Sequence, residues 1–236
     1  MISRVKKTAL AALLLLCGAA LAGAQAPAER SCYLGVQGGA SFGQGTFRSV
    51  TEHGFHPGLQ GGLSAGYRFS RLFSLEAGVR GGGQSQYALD CCPYWLSEAG
   101  ERHMTPIPGE KGWNYGDLAA ATRWGKASLQ ANFDLLSLVT APDSRWSLEL
   151  SPQLSAVLTR TKLLAPDREI GYDPQWHFGY GGQASVGYRL TDRLALDLFG
   201  GITCLSGERF DNVPVHAHKS NFLWDGGLRL RIVLGK

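Results

Sequence analysis

Apolar and polar residues alternate with a period of two in eight stretches of this chain, a pattern that predicts strands with one apolar face. On that face the first stretch reads Leu34, Val36, Gly38, Ala40, Phe42, and the second Leu59, Gly61, Leu63, Ala65, Tyr67, Phe69. The third is Phe73, Leu75, Ala77, Val79, and the fourth Leu129, Ala131, Phe133, Leu135. Trp146, Leu148, Leu150, Leu154, Ala156 and Leu158 form the fifth, and Phe178, Tyr180, Ala184, Val186 and Tyr188 the sixth. Leu194, Leu196, Leu198 and Ile202 make the seventh, and Phe222, Trp224, Leu228, Leu230, Ile232 and Leu234 the eighth. No charge falls on this face as read. The opposite face holds Arg68, Glu76, Arg80, Asp134, Glu149, Arg189, Asp197, Asp225, Arg229 and Arg231, with both signs in balance; Phe199, Leu205, Leu223 and Val233 break its polarity.

The connections alternate too. Short turns are predicted around Ser70-Arg71, Pro142-Asp143-Ser144 and Thr191-Asp192, and long loops over 43–57, 82–125, 160–176 and 206–220. Short turns on one rim and long loops on the other are the layout of an outer-membrane barrel. The expected fold is therefore all-β: an eight-stranded antiparallel up-and-down transmembrane barrel with short periplasmic turns and long extracellular loops. Its interior is too narrow to hold anything but side chains, so a balanced ionic network is what such a lumen tolerates.

A soluble lipocalin-like barrel has the same period with the faces reversed, and aromatic placement separates the two. Tyr67, Phe69, Phe73, Trp146 and Tyr188 lie near the short-turn ends, and Phe42, Trp176, Phe178, Phe222 and Trp224 near the long-loop ends. Two rims of aromatics belong to a membrane barrel. Phe133 stands as the exception.

Composition changes the picture in one respect. Arg4, Lys6 and Lys7, the apolar run Ala9–Leu16 and the small residues Ala22-Gly23-Ala24 predict a signal peptide over 1–24, with the barrel domain over 25–236. Subtracting those three charges from the net +4 leaves +1, so the basic balance gives no reason to expect nucleic acid. Leu16 before Cys17 argues against lipidation there.

Gly66-Tyr67-Arg68 followed by Phe73-Ser74-Leu75-Glu76 repeats without a gap as Gly187-Tyr188-Arg189 followed by Leu194-Ala195-Leu196-Asp197. Each hairpin sets an Arg eight residues before a carboxylate on the same face, which predicts an ion pair across it. The Gly-Tyr-Arg-Phe-Ser turn and its continuation, residues 66–78, resemble the small outer-membrane barrels of the OmpA and OmpX type. The resemblance implies assembly by periplasmic chaperones and the outer-membrane insertion machinery, with outer-membrane lipid as surroundings. The ending Leu234-Gly235-Lys236 departs from the terminal Phe common in that group, and the absence of a peptidoglycan-binding segment after the eighth strand argues against a cell-wall tether.

Candidate chemistry is sparse. His218-Lys219-Ser220-Asn221 is similar to the His-x-Ser-Asn segment of outer-membrane lipid A deacylases, but the region where that family places its Glu, 230–234, has no carboxylate. His53, His56 and Glu52 with His216 and His218 form a metal site only if their loops meet, so neither metal nor cofactor is expected. Among the cysteines, Cys91 or Cys92 bridging to Cys204 is one arrangement the layout allows, which leaves Cys32 without a neighbour; a bridge between adjacent cysteines, or free thiols, is the other. Tyr94, Trp95, Trp113 and Tyr115 in the longest loop are aromatic candidates for extracellular contacts, or for packing over the barrel mouth. The expected role is that of a monomeric barrel with a structural or surface-interaction function, acting on an extracellular ligand or partner through its loops. A narrow pore for small solutes and a lipid-modifying enzyme using His218 and Ser220 are the alternatives.

Overall fold

The computed structural model describes residues 30–52, 54–89, 94–139, 144–207, 210–211 and 221–234. The expected signal peptide lies outside them. Eight long strands are present: Ser31–Gln44, Gly58–Arg68, Phe73–Tyr87, Ala119–Asp134, Trp146–Leu164, Gln175–Arg189, Leu194–Leu205 and Asn221–Leu234. They are called the first to eighth strands here. Each pairs antiparallel with the next, and the eighth returns to the first, with Leu34 opposite Ile232 and Gly39 opposite Gly227. The sheet is closed and has no free edge, which is what a β-structure in hydrocarbon requires.

Glycine makes the closing seam possible. A Cβ on Gly39 would lie 2.0 Å from the Gly226 carbonyl oxygen, and one on Gly227 would lie 2.1 Å from that of Gly38. At this crossing the two backbones approach more closely than any side chain allows.

The polarity is inverted relative to a soluble protein. Outward positions hold Leu59 at 82% exposure and Trp176 at 72%, while Arg229 and Asp197 inside the wall are at 0%. Exposed apolar side chains over the whole wall, combined with buried charges, form a stable arrangement only against lipid. The protein is a membrane-spanning β-barrel.

Both aromatic girdles are present. On the short-turn rim Tyr67, Phe69, Phe73 and Phe133 form a chain of ring contacts with centroids 4.8, 5.6 and 5.4 Å apart, and Trp146 meets Tyr188 at 4.9 Å. Phe133 is thus no exception. The fourth strand runs from Ala119 to Asp134 rather than from Leu129 to Leu135, so Phe133 sits at its rim end.

The third, fourth and fifth strands reach farther past the long-loop rim than alternation of apolar residues predicts. Their ladder continues through Tyr87 opposite Ala119 and Ala119 opposite Leu164. The predicted loop 82–125 accordingly shrinks to residues 88–118: the inner face of the extension packs under the loops with polar as well as apolar side chains, Gln84, Gln86, Thr122 and Thr161 among them, so the hydrophobic period fades while the hydrogen bonds persist.

Candidate functional site

The lumen is filled by two ionic clusters. Nearer the short turns, Arg229 donates through Nε to Asp197 at 2.9 Å and through Nη1 to Glu76 at 3.0 and 3.2 Å, and its Nη2 lies 3.4 Å from Glu149. Arg231 donates to Glu149 at 2.5 Å and to Asp197 at 2.7 Å. Tyr33 and Gln130 donate to the two oxygens of Glu76, at 2.9 and 3.0 Å. Above this, Arg80 and Lys126 share Asp225, with Lys126 Nζ at 3.2 Å. Arg80 also donates to Gln183 at 2.6 Å and lies over the Phe199 ring at 5.2 Å.

Four buried acids in the wall, Glu76, Glu149, Asp197 and Asp225, face four buried bases, Arg80, Lys126, Arg229 and Arg231. Burying charge is costly unless it is paired, and here the clusters carry no net charge between them. Lys126 precedes the alternating stretch Leu129–Leu135, so alternation alone does not place it in the interior.

Three residues expected in this network act elsewhere. Asp134 caps the turn after the fourth strand, accepting from the Leu136 and Leu148 amides at 3.2 and 3.1 Å. Arg189 is exposed and donates to the Ser144 carbonyl at 2.9 Å; Arg68 lies at the same rim. The expected Arg189–Asp197 and Arg68–Glu76 pairs do not form. The ladder sets Arg189 opposite Ala195 and Arg68 opposite Ser74, one step nearer the rim, whereas Asp197 lies directly opposite Arg229. What the repeat preserves is the glycine. A Cβ on Gly187 would lie 2.4 Å from Asp197 Oδ1, and one on Gly66 would lie 2.2 Å from the Tyr33 ring, so each glycine makes room for the buried groups.

Above the ions, Trp124, Val157, Leu205, Phe210 and Leu223 form an apolar layer across the lumen. This is the purpose of Leu205 and Leu223, which look misplaced on an otherwise polar face. A water path would have to cross tied charges and then a dry layer, and apolar constrictions exclude water.

On top sits a folded extracellular cap. Phe47 from the first loop, Leu96, Tyr115 and Leu118 from the second, and Ala120 and Leu163 from the strand tips make one buried core. The second loop carries its own sheet, with Trp95–Ser97 between Arg102–His103 and Gly112–Asn114. In the third, Glu169–Gly171 folds back on the fifth strand. Between these loops Arg168 pairs with Glu98 at 2.5 Å and lies over the Trp113 ring at 4.7 Å, while Trp113 Nε1 donates to Asp167 at 2.8 Å. Asp211 of the fourth loop accepts from the Phe47 amide at 2.6 Å.

The four aromatic contact candidates belong to this packing. Tyr115, at 0% exposure, meets Phe47 and Tyr94 edge-on, each at 5.7 Å, and Trp95 is buried. Tyr94 lies under the Arg102 guanidinium at 4.5 Å. Tyr115 and Trp95 thus pack inside the cap, where an aromatic ring gains by burial, and Tyr94 and Trp113 are half-buried against the same core. The tip of the second loop is exposed, with Met104 at 71% between turns that rest on Gly100 and Gly109, at φ 85° and 86°.

Cys204 lies on the outward face and is a free thiol, as is Cys32. Its direction, away from the mouth, removes the geometry on which a bridge to the second loop depends; Cys91 and Cys92 lie outside the described residues. So do His53, His216, His218 and Ser220. Among the described residues no group of three or more metal-ligating side chains occurs.

No protein-family model matches the chain, and no curated protein sequence matches it. Among solved structures the chain is similar to Neisserial surface protein A, NspA, with 15% identity and a TM-score of 0.48 over 86% of this chain and 97% of that one. It is similar to Ail, the attachment invasion locus protein of Yersinia pestis, with 9% identity and a TM-score of 0.42 over 86% and 99%. The N-terminal β-barrel domain of Pseudomonas aeruginosa OprF gives 10% and 0.40 over 87% and 100%. By its own closed strand order and inverted polarity, this chain is a small eight-stranded outer-membrane β-barrel protein.

Proposed function

We propose that this barrel is a sealed membrane anchor that presents a rigid extracellular cap to a macromolecular partner at the cell surface. One observation carries the reading: the loops are joined by a buried core of their own, Phe47, Leu96, Tyr115, Leu118, Ala120 and Leu163, above a lumen closed by ions and an apolar layer. Loops that merely connect strands do not need a core, and a preformed surface binds without the entropy cost of ordering itself. The second-loop tip around Met104, flanked by Glu98, Glu101 and Glu110, is an exposed part of that cap and the contact surface in this reading.

The test replaces residues 99–110 by a short Gly-Ser turn in a surface-expressing Gram-negative strain and measures adhesion to immobilised matrix and serum proteins. Adhesion should fall to the level of cells lacking the protein, with assembly of the barrel unchanged. Unchanged adhesion, or steady ion conductance by the purified monomer in planar bilayers, would contradict the reading.

A further inference from the structure

Along the outward positions of the eight strands the only charged side chains are Arg123, Arg160 and Lys162. They form one patch. Arg123 is the cross-strand partner of Arg160, and Lys162 that of Ala121. Like charges directly opposite each other destabilise a ladder, so an isolated Arg-Arg pair needs compensation. Lys162 meets Glu169 at 3.0 Å, and among the described residues no acid lies within ion-pair distance of Arg123 or Arg160.

The height of the patch identifies what it faces. Outward positions of the fifth strand are apolar from Leu148 to Leu158. Ten residue steps of about 3.3 Å, tilted by about 40°, rise about 25 Å, the height of the apolar band of such barrels. Arg160 is the next outward position, and Trp176, opposite Leu158, marks the girdle beside it. The patch therefore lies level with the outer-leaflet headgroups.

It is also one wall of a groove of about 1000 Å³. The other wall is the first loop, which folds down the outside of the barrel: Phe55 packs on outward-facing Phe42 at 4.9 Å and His56 on Tyr87 at 4.4 Å. Gly83, Ser85 and Ala121 line it between the walls. Below, Gly125 leaves the wall bare, since a Cβ there would meet nothing within 4 Å. The groove is cationic at the top and opens downward onto apolar wall.

We propose that this groove binds a phosphorylated glycolipid of the outer leaflet. Arg123 and Arg160 hold its phosphate, and an acyl chain lies on the glycine-lined wall beneath. Guanidinium groups suit phosphate oxygens because their donors fork to two at once. The bound anion also relieves the Arg-Arg repulsion. This site is separate from the cap tip, so its failure leaves the surface-contact reading untouched.

The test uses the mature chain folded in phosphatidylcholine bilayers, with retention of folded gel mobility on heating as the readout. The probes are bis-phosphorylated lipid A, the same lipid with both phosphates removed, and inorganic phosphate. Phosphorylated lipid should raise the unfolding temperature, Arg123→Gln/Arg160→Gln should weaken its apparent affinity about tenfold or more, and Arg123→Lys/Arg160→Lys, which keeps the charge without the fork, should weaken it less than the Gln change. In plain phosphatidylcholine the Gln variant should be at least as stable as the parent, because it loses only repulsion. Equal response of parent and Gln variant, equal effect of the dephosphorylated lipid, or equal effect of inorganic phosphate would overturn the proposal. So would a Gln variant that fails to fold in plain phosphatidylcholine, since the repulsion argument would then be wrong.

Discussion

Replacing Arg229 by Met tests whether the lumen is held by a balanced charge cluster. Arg229 serves three carboxylates, at 2.9 Å for Asp197, 3.0 Å for Glu76 and 3.4 Å for Glu149, and is wholly buried. Without it Asp197 and Glu149 must share Arg231, and Glu76 keeps only Tyr33 and Gln130. Removing one partner from a buried ion pair costs about 3–5 kcal/mol, because the remaining charge stays desolvated. Glu76→Gln alone should cost about 1–3 kcal/mol through its weakened hydrogen bonds. The double variant restores the native charge count of the cluster, so its cost should fall short of the sum of the single costs by about 2 kcal/mol or more. Urea unfolding in phosphatidylcholine bilayers, followed by tryptophan fluorescence, measures all three. Additivity within about 0.5 kcal/mol would refute the reasoning, since independent sites behave that way.

The same cycle on Arg189→Met and Asp197→Asn should show coupling of less than about 0.5 kcal/mol, because Arg189 is exposed at the rim and the partners of Asp197 are Arg229 and Arg231. Tyr115→Ala removes the centre of the cap core and should cost the cap about 3–5 kcal/mol, seen as faster protease cutting within 88–118 while the barrel keeps its heat-resistant mobility. Gly39→Val should abolish closure of the barrel, read as loss of the compact gel band, whereas Gly38→Val should be tolerated, since its Cβ would meet nothing nearer than 3.8 Å.

Alternation alone located all eight strands and both girdles, because lipid on one side and ions on the other impose the period of two on every membrane-level residue. It failed where lipid stops. Near the headgroups the outer face no longer meets hydrocarbon, so Arg123, Arg160 and Lys162 look like loop residues, while Lys126, opposite Val157, sits between Gly125 and Ala127, whose small size gives alternation no apolar signal there. The buried pairings were not legible for a different reason. Alternation fixes which face Asp197 occupies, but only the register of the neighbouring strand sets it opposite Arg229, and that strand is 32 residues away in the chain. The cap aromatics misled because exposure of a loop in sequence says nothing of exposure in space. Tyr115 and Trp95 have the composition of a recognition surface and the burial of a core.

The inverted polarity of the wall underlies every other conclusion, and a spin-label scan of the fifth strand tests it most directly. Nitroxides at Leu148, Leu154 and Leu158 face outward in this fold, and those at Ser147, Ser151 and Ser155 face the lumen. In a full-length variant whose own cysteines are replaced by serine, folded into bilayers, collisional access to oxygen should be high at the first three and low at the second three. A nitroxide at Arg160 should be the first in the outward series to gain access to a water-soluble nickel chelate. The opposite phase, with oxygen reaching the serine positions and not the leucines, would mean an apolar interior and would contradict the membrane barrel.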